Sequence, residues 1–152
     1  MESTILHDGA GHTIYALVFA PGDEVMSGLT AFAADRGISV AHFTAVGAFS
    51  SATLAFFDVE RKEYDKLPVT EQVEVVSMTG NVALDQADRP KVHAHVVLGH
   101  RDGRTQGGHL LEARVRPTLE VVLEESPRFL RRRERPEVGL ALLDLDDSSR
   151  GA

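Results

Sequence analysis

The apolar positions of the chain fall mostly into short runs rich in β-branched and aromatic residues, a pattern that predicts strands. The first clear run covers residues 13–19 and stops at the turn signal Pro21-Gly22. Eight later runs follow, and most of them are also best interpreted as strands: 38–48, 52–58, 63–67, 73–83, 92–98, 106–111, 113–124 and 138–143. The pattern therefore predicts a mostly antiparallel β-sheet.

One segment follows helical spacing instead. Its apolar positions recur every three or four residues, at Val25, Met26, Leu29, Phe32 and Ala33. Asp23 can serve as the N-cap or as a first-turn acid, and Gly37 closes the element. We therefore expect an α+β fold with one main α-helix at about 23–36, in a single domain over 1–145 followed by a disordered tail at 146–152.

Three positions predict local irregularity in the strands. Residues 49–51 separate two runs that we expect to be adjacent antiparallel strands. Gly47 marks a tight bend or a bulge. Pro117 interrupts the run 113–124, so that strand either starts late, carries a bulge or lies at an edge.

Composition and charge narrow the function classes. The chain has 152 residues and no cysteine, so a metal would have to be held by histidine, carboxylate or carbonyl groups. A net charge of −7 opposes non-specific attraction to nucleic acid or anionic membranes. No run approaches the ~20 apolar residues that span a bilayer, and no signal peptide is evident, so we expect a cytoplasmic protein with no membrane partner.

The basic run at 128–136 is the one place where a nucleic-acid patch could lie. It contains five arginines, at 128, 131, 132, 133 and 135. A solvated edge or loop that balances the acidic segment before it is the favoured interpretation. Phosphate-binding glycine loops and the serine nucleophile elbow are both missing from the sequence.

The strongest chemical signal is a predicted hairpin that carries three histidines. His93 and His95 are two residues apart on one strand, so their side chains leave the same face. If the loop Arg101-Asp102-Gly103 has three residues, His109 lies opposite His95 and joins that face. A two-residue loop would move His109 to the other face, unless a bulge at Gly107-Gly108 restored the match.

Three neutral imidazoles suit zinc or another divalent metal, with a fourth position open to water or substrate. The alternative is that His93, His95 and His109 are ordinary strand histidines. We expect His100 to be exposed near the turn, and we include no other histidine in the site. Glu120 is either a residue that orients a metal-bound imidazole or a surface charge.

Five segments in this order and spacing resemble the PPC family (plant and prokaryote conserved domain) over about residues 10–145. They are VGAFSSATL at 46–54, GNV at 80–82, HAH at 93–95, GGHL at 107–110 and TLEV at 118–121. The resemblance implies one helix packed on a largely antiparallel sheet, and assembly as a homotrimer with the hairpins near subunit boundaries. It also implies a metal site at His93, His95 and His109, since some prokaryotic members resemble metal-binding proteins through these elements.

Plant members of the family carry AT-hooks and bind DNA, and stand-alone prokaryotic members often have a DNA-binding label. This chain lacks the Arg-Gly-Arg-Pro hook, because Glu134 stands where the hook needs glycine. The expected function is a trimeric binding or regulatory domain with a zinc site, whose partners are itself, DNA or a DNA-binding protein, or a small-molecule ligand. The alternatives are a small zinc-dependent enzyme of hydrolase or lyase type, and an oligomeric scaffold.

Overall fold

The computed structural model describes residues 1–148, which form a mostly antiparallel sheet with one main helix, as the sequence predicts. The strands are β1 (Glu2–Gly9), β2 (His12–Phe19), β3 (Val40–Asp58), β4 (Glu63–Val69), β5 (Val73–Leu84), β6 (Pro90–Gly99), β7 (Thr105–Glu125), β8 (Arg131–Arg135) and β9 (Leu140–Asp144). The helices are α1 (Val25–Arg36) and the short α2 (Leu145–Ser148).

Four of the strands close into a ring. β3 pairs with β5 and β7, and β6 pairs with the same two strands, so that β3, β5, β6 and β7 each have neighbours on both sides. The core inside this ring is apolar, and its largest fully buried side chains include Phe43, Phe49, Leu54, Met78 and Leu110. A closed ring leaves few unpaired backbone groups, which makes it a rigid support for side chains on its outer face.

The N-cap of helix α1 lies one residue later than predicted. The carboxylate of Glu24, not of Asp23, accepts the backbone N–H groups of Met26 at 3.1 Å and Ser27 at 2.7 Å. Asp23 instead accepts the N–H of Ala20 at 2.9 Å. Gly37 ends the helix in the left-handed conformation, as expected, with φ of 67°.

The predicted strands at 38–48 and 52–58 are in fact one continuous strand, β3. Its partner on one side is β7 along most of its length, while its partner on the other side changes from β5, last paired at Phe49, to β4, first paired at Ala52. The small residues at 50 and 51 therefore mark an exchange of neighbours and not a turn. The prediction of two adjacent strands was wrong because the backbone remains extended and paired through the break.

The runs at 106–111 and 113–124 likewise form one strand, β7. The register between β7 and β3 shifts between Gly47 and Phe49, opposite the stretch from Leu119 back to Val115 that contains Pro117. Pro117 thus lies at a bulge, one of the three outcomes expected for it. Gly47 lies at register shifts against both neighbours, and a Cβ there would come within 2.3 Å of the Thr118 carbonyl oxygen.

The two ends of the chain contain strands that the apolar pattern does not indicate. β1 is almost wholly exposed and so lacks the alternation that identifies a half-buried strand. β8 consists of four arginines and one glutamate, pairs with β9, and touches β5 at Leu84. The tail predicted at 146–152 falls partly on α2 and partly on 149–152, which lie outside the described residues. Among the residues that the structure describes, no helix is long and apolar enough to cross a membrane.

Candidate metal centre

The hairpin of β6 and β7 has the register that the three-residue loop predicts. His95 pairs with His109, and the register continues without a shift to Gly99 opposite Thr105. The loop is closed by hydrogen bonds from His100 N to Arg104 O and from Gly103 N to His100 O, both 2.9 Å long. Gly103 has φ of 85°, the left-handed conformation this loop requires. The two-residue alternative is therefore excluded.

The pair Gly107-Gly108 is not a bulge against β6. The two glycines instead allow β7 to approach its neighbouring strands closely, because a Cβ on Gly108 would lie 3.0 Å from the carbonyl oxygen of Ala55 on β3. A Cβ on Gly107 would lie 3.2 Å from the carbonyl oxygen of Val96. The glycines therefore let β7 fit tightly between its neighbours just before His109.

His93, His95 and His109 project together from the outer face of the ring. The alternate residues Val92, Ala94 and Val96 are buried in the core, which fixes the direction of the imidazoles between them. One ligand atom from each histidine lies within 4.8 Å of the other two. The ring centroids are 5.0 to 5.4 Å apart. The sequence prediction that these three side chains share one face is confirmed.

The environment favours the neutral imidazole of His93 and of His109, which is the form that binds metal. Burial, followed by the charge of Arg132, lowers the pKa of His93 to about 4. Burial also lowers the pKa of His109, with the charges of His95 and Arg132 acting in the same direction. The Nδ1 atom of His109 is buried without a hydrogen-bond partner among the described residues. An unpartnered ring nitrogen beside two other imidazoles fits a metal ligand.

Arg132 is a site residue that the sequence analysis did not identify. It comes from β8, is 8% exposed, and places its Nη2 atom 2.7 Å from Asn81 Oδ1 and 3.4 Å from His93 Nδ1. Its Nη1 donates to the Ala141 carbonyl oxygen at 3.3 Å. The sequence showed Arg132 only as part of a basic run, because no local signal distinguishes a strand that folds back against β5.

A cleft of about 670 Å³ opens beside the histidines. Tyr64, on β4, stacks on His109 with ring centroids 5.0 Å apart and an interplanar angle of 23°. Burial raises the pKa of the Tyr64 phenol, while the charge of Arg132 opposes that change. The cleft is lined mainly by apolar and neutral side chains, among them Phe56, Phe57, Val97 and Leu140. Its size is within the range of small-molecule sites.

Two predictions about neighbouring residues were wrong. His100 is buried, with 8% exposure, and its Nδ1 lies 2.9 Å from Glu71 Oε1. The short loop turns this ring inward, toward the chain segment before β5. Glu120 cannot orient the histidines, because it pairs with Val18 and Val46 at the opposite end of β7 from His109.

The basic run at 128–136 is largely paired within the chain. Arg131 forms an ion pair with Asp88, and Arg133 and Arg135 both pair with Asp144. Arg132 faces the histidine cluster. The structure thus favours the interpretation of this run as a folded edge over that of a free nucleic-acid patch.

Comparisons with known proteins agree with this architecture. The model of the Plants and Prokaryotes Conserved (PCC) domain matches residues 6–127. A solved structure described as a metal-containing protein from Archaeoglobus fulgidus is 35% identical, with a TM-score of 0.79, covering 85% of this chain and 91% of its own. One described as "Putative DNA-binding protein" from Ralstonia eutropha JMP134 is 33% identical, with a TM-score of 0.79, covering 86% and 90%.

One curated relative contains a segment similar to this chain as a small part of a larger protein. The bifunctional protein GlmU of Synechococcus sp. (strain JA-3-3Ab) is 29% identical over 134 residues, which are 87% of this chain. The match spans 20% of the length of that relative.

Proposed function

The chain belongs to the Plants and Prokaryotes Conserved (PCC) domain family, and we propose that it is a binding or regulatory module whose His93, His95 and His109 hold a divalent metal, zinc first among the candidates. The observation that carries the proposal is the convergence of three histidine ligand atoms within 4.8 Å on a rigid hairpin. Zinc–nitrogen bonds of about 2.0–2.1 Å place tetrahedral ligands about 3.3 Å apart. Small side-chain rotations on fixed strands would bring the three ligand atoms from within 4.8 Å of one another to this tetrahedral spacing.

Two further features support a metal over ordinary strand histidines. Packed histidines normally satisfy their ring nitrogens with protein partners, whereas Nδ1 of His109 is buried with no partner among the described residues, a property it shares with Nε2 of His100 outside the cluster. The absence of cysteine restricts the site to nitrogen and oxygen ligands, which suit zinc among the borderline metals. The Archaeoglobus relative, described as metal-containing, supports the proposal by family membership.

The test is the metal content of purified protein from cells grown with zinc. We expect about one zinc per chain in the wild type and a loss of most of it in His93→Ala and in His109→Ala. His42→Ala is the matched control, since His42 is a strand histidine that contacts Glu124 away from the cluster. Equal and negligible metal in the wild type and all variants would refute the proposal.

The alternative function at the same site is a small zinc-dependent enzyme of hydrolase or lyase type. The open cleft beside the histidines favours it, because a bound zinc ion with a free coordination position supplies Lewis-acid chemistry to a small molecule. Tyr64 and Thr79 line that cleft and could hold such a molecule by hydrogen bonds. Turnover of a small ester or lyase substrate that is lost on metal removal would favour the enzyme over the binding module.

We also propose that the module is a homotrimer, as the family resemblance implies. Its outer sheet face supports self-association, because four half-exposed valines line one shallow depression: Val18, Val46, Val76 and Val122. Clustered apolar side chains on a sheet face mark protein interfaces more often than isolated ones do. Mass determination by light scattering tests the assembly directly.

A nucleic-acid partner remains a proposal supported by the name of the Ralstonia relative. The net charge of −7 and the internally paired arginines favour association through a DNA-binding protein over direct contact. Retention on duplex DNA that falls steeply with salt would support direct binding. No retention at low salt would rule out direct binding.

A further inference from the structure

Two cationic side chains act on the candidate metal centre, although the chain as a whole is acidic. The permanently charged side chains with the largest effect on His93 among the described residues are Arg132 and Lys91. Among the described residues that line the cleft, none is aspartate or glutamate. A divalent metal held by three neutral imidazoles would add two more positive charges, and the described residues that line the cleft include no carboxylate to offset them.

The guanidinium of Arg132 is buried against neutral groups. Its hydrogen-bond partners are the side-chain oxygen of Asn81, the carbonyl oxygen of Ala141 and, at 3.4 Å, Nδ1 of His93, and its buried Nε has no partner among the described residues. Two arginines on the same strand, Arg133 and Arg135, both pair with a carboxylate. A buried cation without an anion is unfavourable unless a ligand supplies the missing charge.

The apolar walls of the cleft indicate that such a ligand also has an apolar part. Phe56, Phe57, Val97 and Leu140 present apolar surface to the space beside the histidines. Phe56 is 66% exposed, so a large aromatic ring stands unburied at the cleft. A molecule with an apolar body would bury this surface while its polar end faced the histidines.

We propose that the ligand of this cleft is a small carboxylic acid with an apolar body, whose carboxylate faces the three histidines. This carboxylate offsets the charge of Arg132, which lies behind His93 with its Nη2 atom 3.4 Å from His93 Nδ1. The inference deepens the proposed function and rests on it. Arg132 lies beyond residue 127, where the family-model match ends, so the recognition element is supplied by the β8–β9 hairpin. A phosphate ester fits less well, because it carries more charge and more acceptor oxygens than the mainly apolar walls can pair.

The experiment measures the binding of benzoate, benzamide and inorganic phosphate by calorimetry or NMR titration, with zinc-loaded and with metal-free protein. Benzamide has nearly the shape of benzoate without its charge. We expect both forms of the wild type to prefer benzoate over benzamide and over phosphate. Arg132→Gln should weaken benzoate binding roughly tenfold or more and leave benzamide binding unchanged.

Two further variants sharpen this test. Asn81→Asp places a carboxylate against the guanidinium, since Asn81 Oδ1 lies 2.7 Å from Arg132 Nη2. It should weaken benzoate binding as Arg132→Gln does, while raising the melting temperature, and it keeps the test decisive if Arg132→Gln fails to fold. Arg128→Gln is the matched control, because it removes the same charge from an exposed position of the same basic run and should change nothing.

The outcomes separate this inference from the proposed function. Equal benzoate affinity in the wild type and Asn81→Asp, or no preference for benzoate over benzamide, overturns the carboxylate assignment whatever the metal content. Phosphate bound more tightly than benzoate overturns it in favour of a phosphorylated ligand. A wild type that holds no zinc contradicts the metal proposal instead, and the benzoate comparison on metal-free protein is still measured.

Discussion

His95 and His109 lie directly opposite each other on β6 and β7, with ring centroids 5.4 Å apart. Because side chains alternate along a strand, this pairing holds only in the register that the loop from His100 to Arg104 sets. That loop depends on the left-handed conformation of Gly103, at φ of 85°. The geometry of the candidate metal centre is therefore linked to the backbone of one turn residue.

Gly103→Ala should lower the free energy of unfolding by about 1–2 kcal/mol, because a Cβ is unfavourable in the left-handed conformation. Nothing lies within 4 Å of the added methyl group, so the cost is one of conformation and not of packing. Urea denaturation measures it, with Arg101→Ala in the same exposed loop as the control. Zinc content should stay unchanged, since eight further residues hold the ladder from Gly99–Thr105 to Val96–Gly108. If Gly103→Ala lowered the free energy of unfolding no more than Arg101→Ala does, the conformational explanation would be wrong.

Zinc should stabilise the folded protein, because the three imidazoles converge only in the native hairpin. At free zinc one hundred times the dissociation constant, the added stability is about 2.7 kcal/mol. The measurement is the melting temperature with and without zinc, after treatment with a chelator. His109→Ala should abolish the increase, whereas His42→Ala should retain it. An equal increase in His109→Ala would show that zinc binds elsewhere.

The stability of the metal-free protein should fall as the pH drops from about 6.5 toward 4. The pKa of His93 is about 4 in the folded chain, against an ordinary value of 6.5, so between these values the unfolded chain binds a proton that the folded chain excludes. Above pH 6.5 the imidazole is neutral in both states, and below about pH 4 it is protonated in both. Outside this range it therefore contributes nothing to the change of unfolding free energy with pH.

Chemical denaturation across this pH range measures the free energy of unfolding of the wild type and of His93→Gln. The free energy should fall less steeply with decreasing pH in His93→Gln than in the wild type. The pKa of His109 is lowered as well, so the double variant with His109→Gln should be shallower again. A slope in the variants as steep as in the wild type would assign the acid sensitivity to other groups.

The parts of the site that sequence could predict are those fixed by local geometry. Side chains alternate between the two faces of β6, and the glycine in the loop between β6 and β7 sets the register of the hairpin. Together these two features bring His93, His95 and His109 to one face. Arg132 could not be predicted in the same way, because its place depends on a long-range contact between β8 and β5. The basic sequence of β8 carries no apolar alternation from which that pairing could be inferred.

The same distinction explains the errors in the strands. A break in apolar pattern at residues 49–51 usually marks a turn, but here it marks the point where β3 exchanges β5 for β4 as its neighbour. The exchange is a property of the closed ring and not of the local sequence. His100 was expected to be exposed because turns usually are, yet its ring pairs with Glu71, which is distant in sequence.

Gly80→Ala should destabilise the protein by roughly 2–3 kcal/mol and disturb the histidine cluster. A Cβ at position 80 would lie 2.3 Å from the ring of Phe43 and 2.5 Å from the carbonyl oxygen of His93. Combining it with Phe43→Leu relieves the first clash but not the second, so only part of the lost zinc affinity should return. Calorimetric zinc titration of the single and double variants checks this, and full recovery would show that the backbone of β6 is not displaced.

A charge introduced into the valine depression should separate the proposed trimer into smaller species. Val18, Val46, Val76 and Val122 lie on four different strands, yet they line one shallow hollow on the outer face of the sheet. Val46 and Val122 are about half exposed, so a glutamate at either position costs little in the isolated chain but would be buried without a partner in an interface. Val46→Glu and Val122→Glu should therefore lower the mass measured by light scattering while leaving the circular dichroism spectrum unchanged.

The matched control for these two variants is Val59→Glu. Val59 is 67% exposed in the turn between β3 and β4, away from the depression, so the same substitution there should leave the assembly intact. If all three variants keep the wild-type mass, the subunit interface lies on another face. If the wild type is itself monomeric, the valines remain an apolar surface without a copy to cover it, and self-association is refuted for this chain.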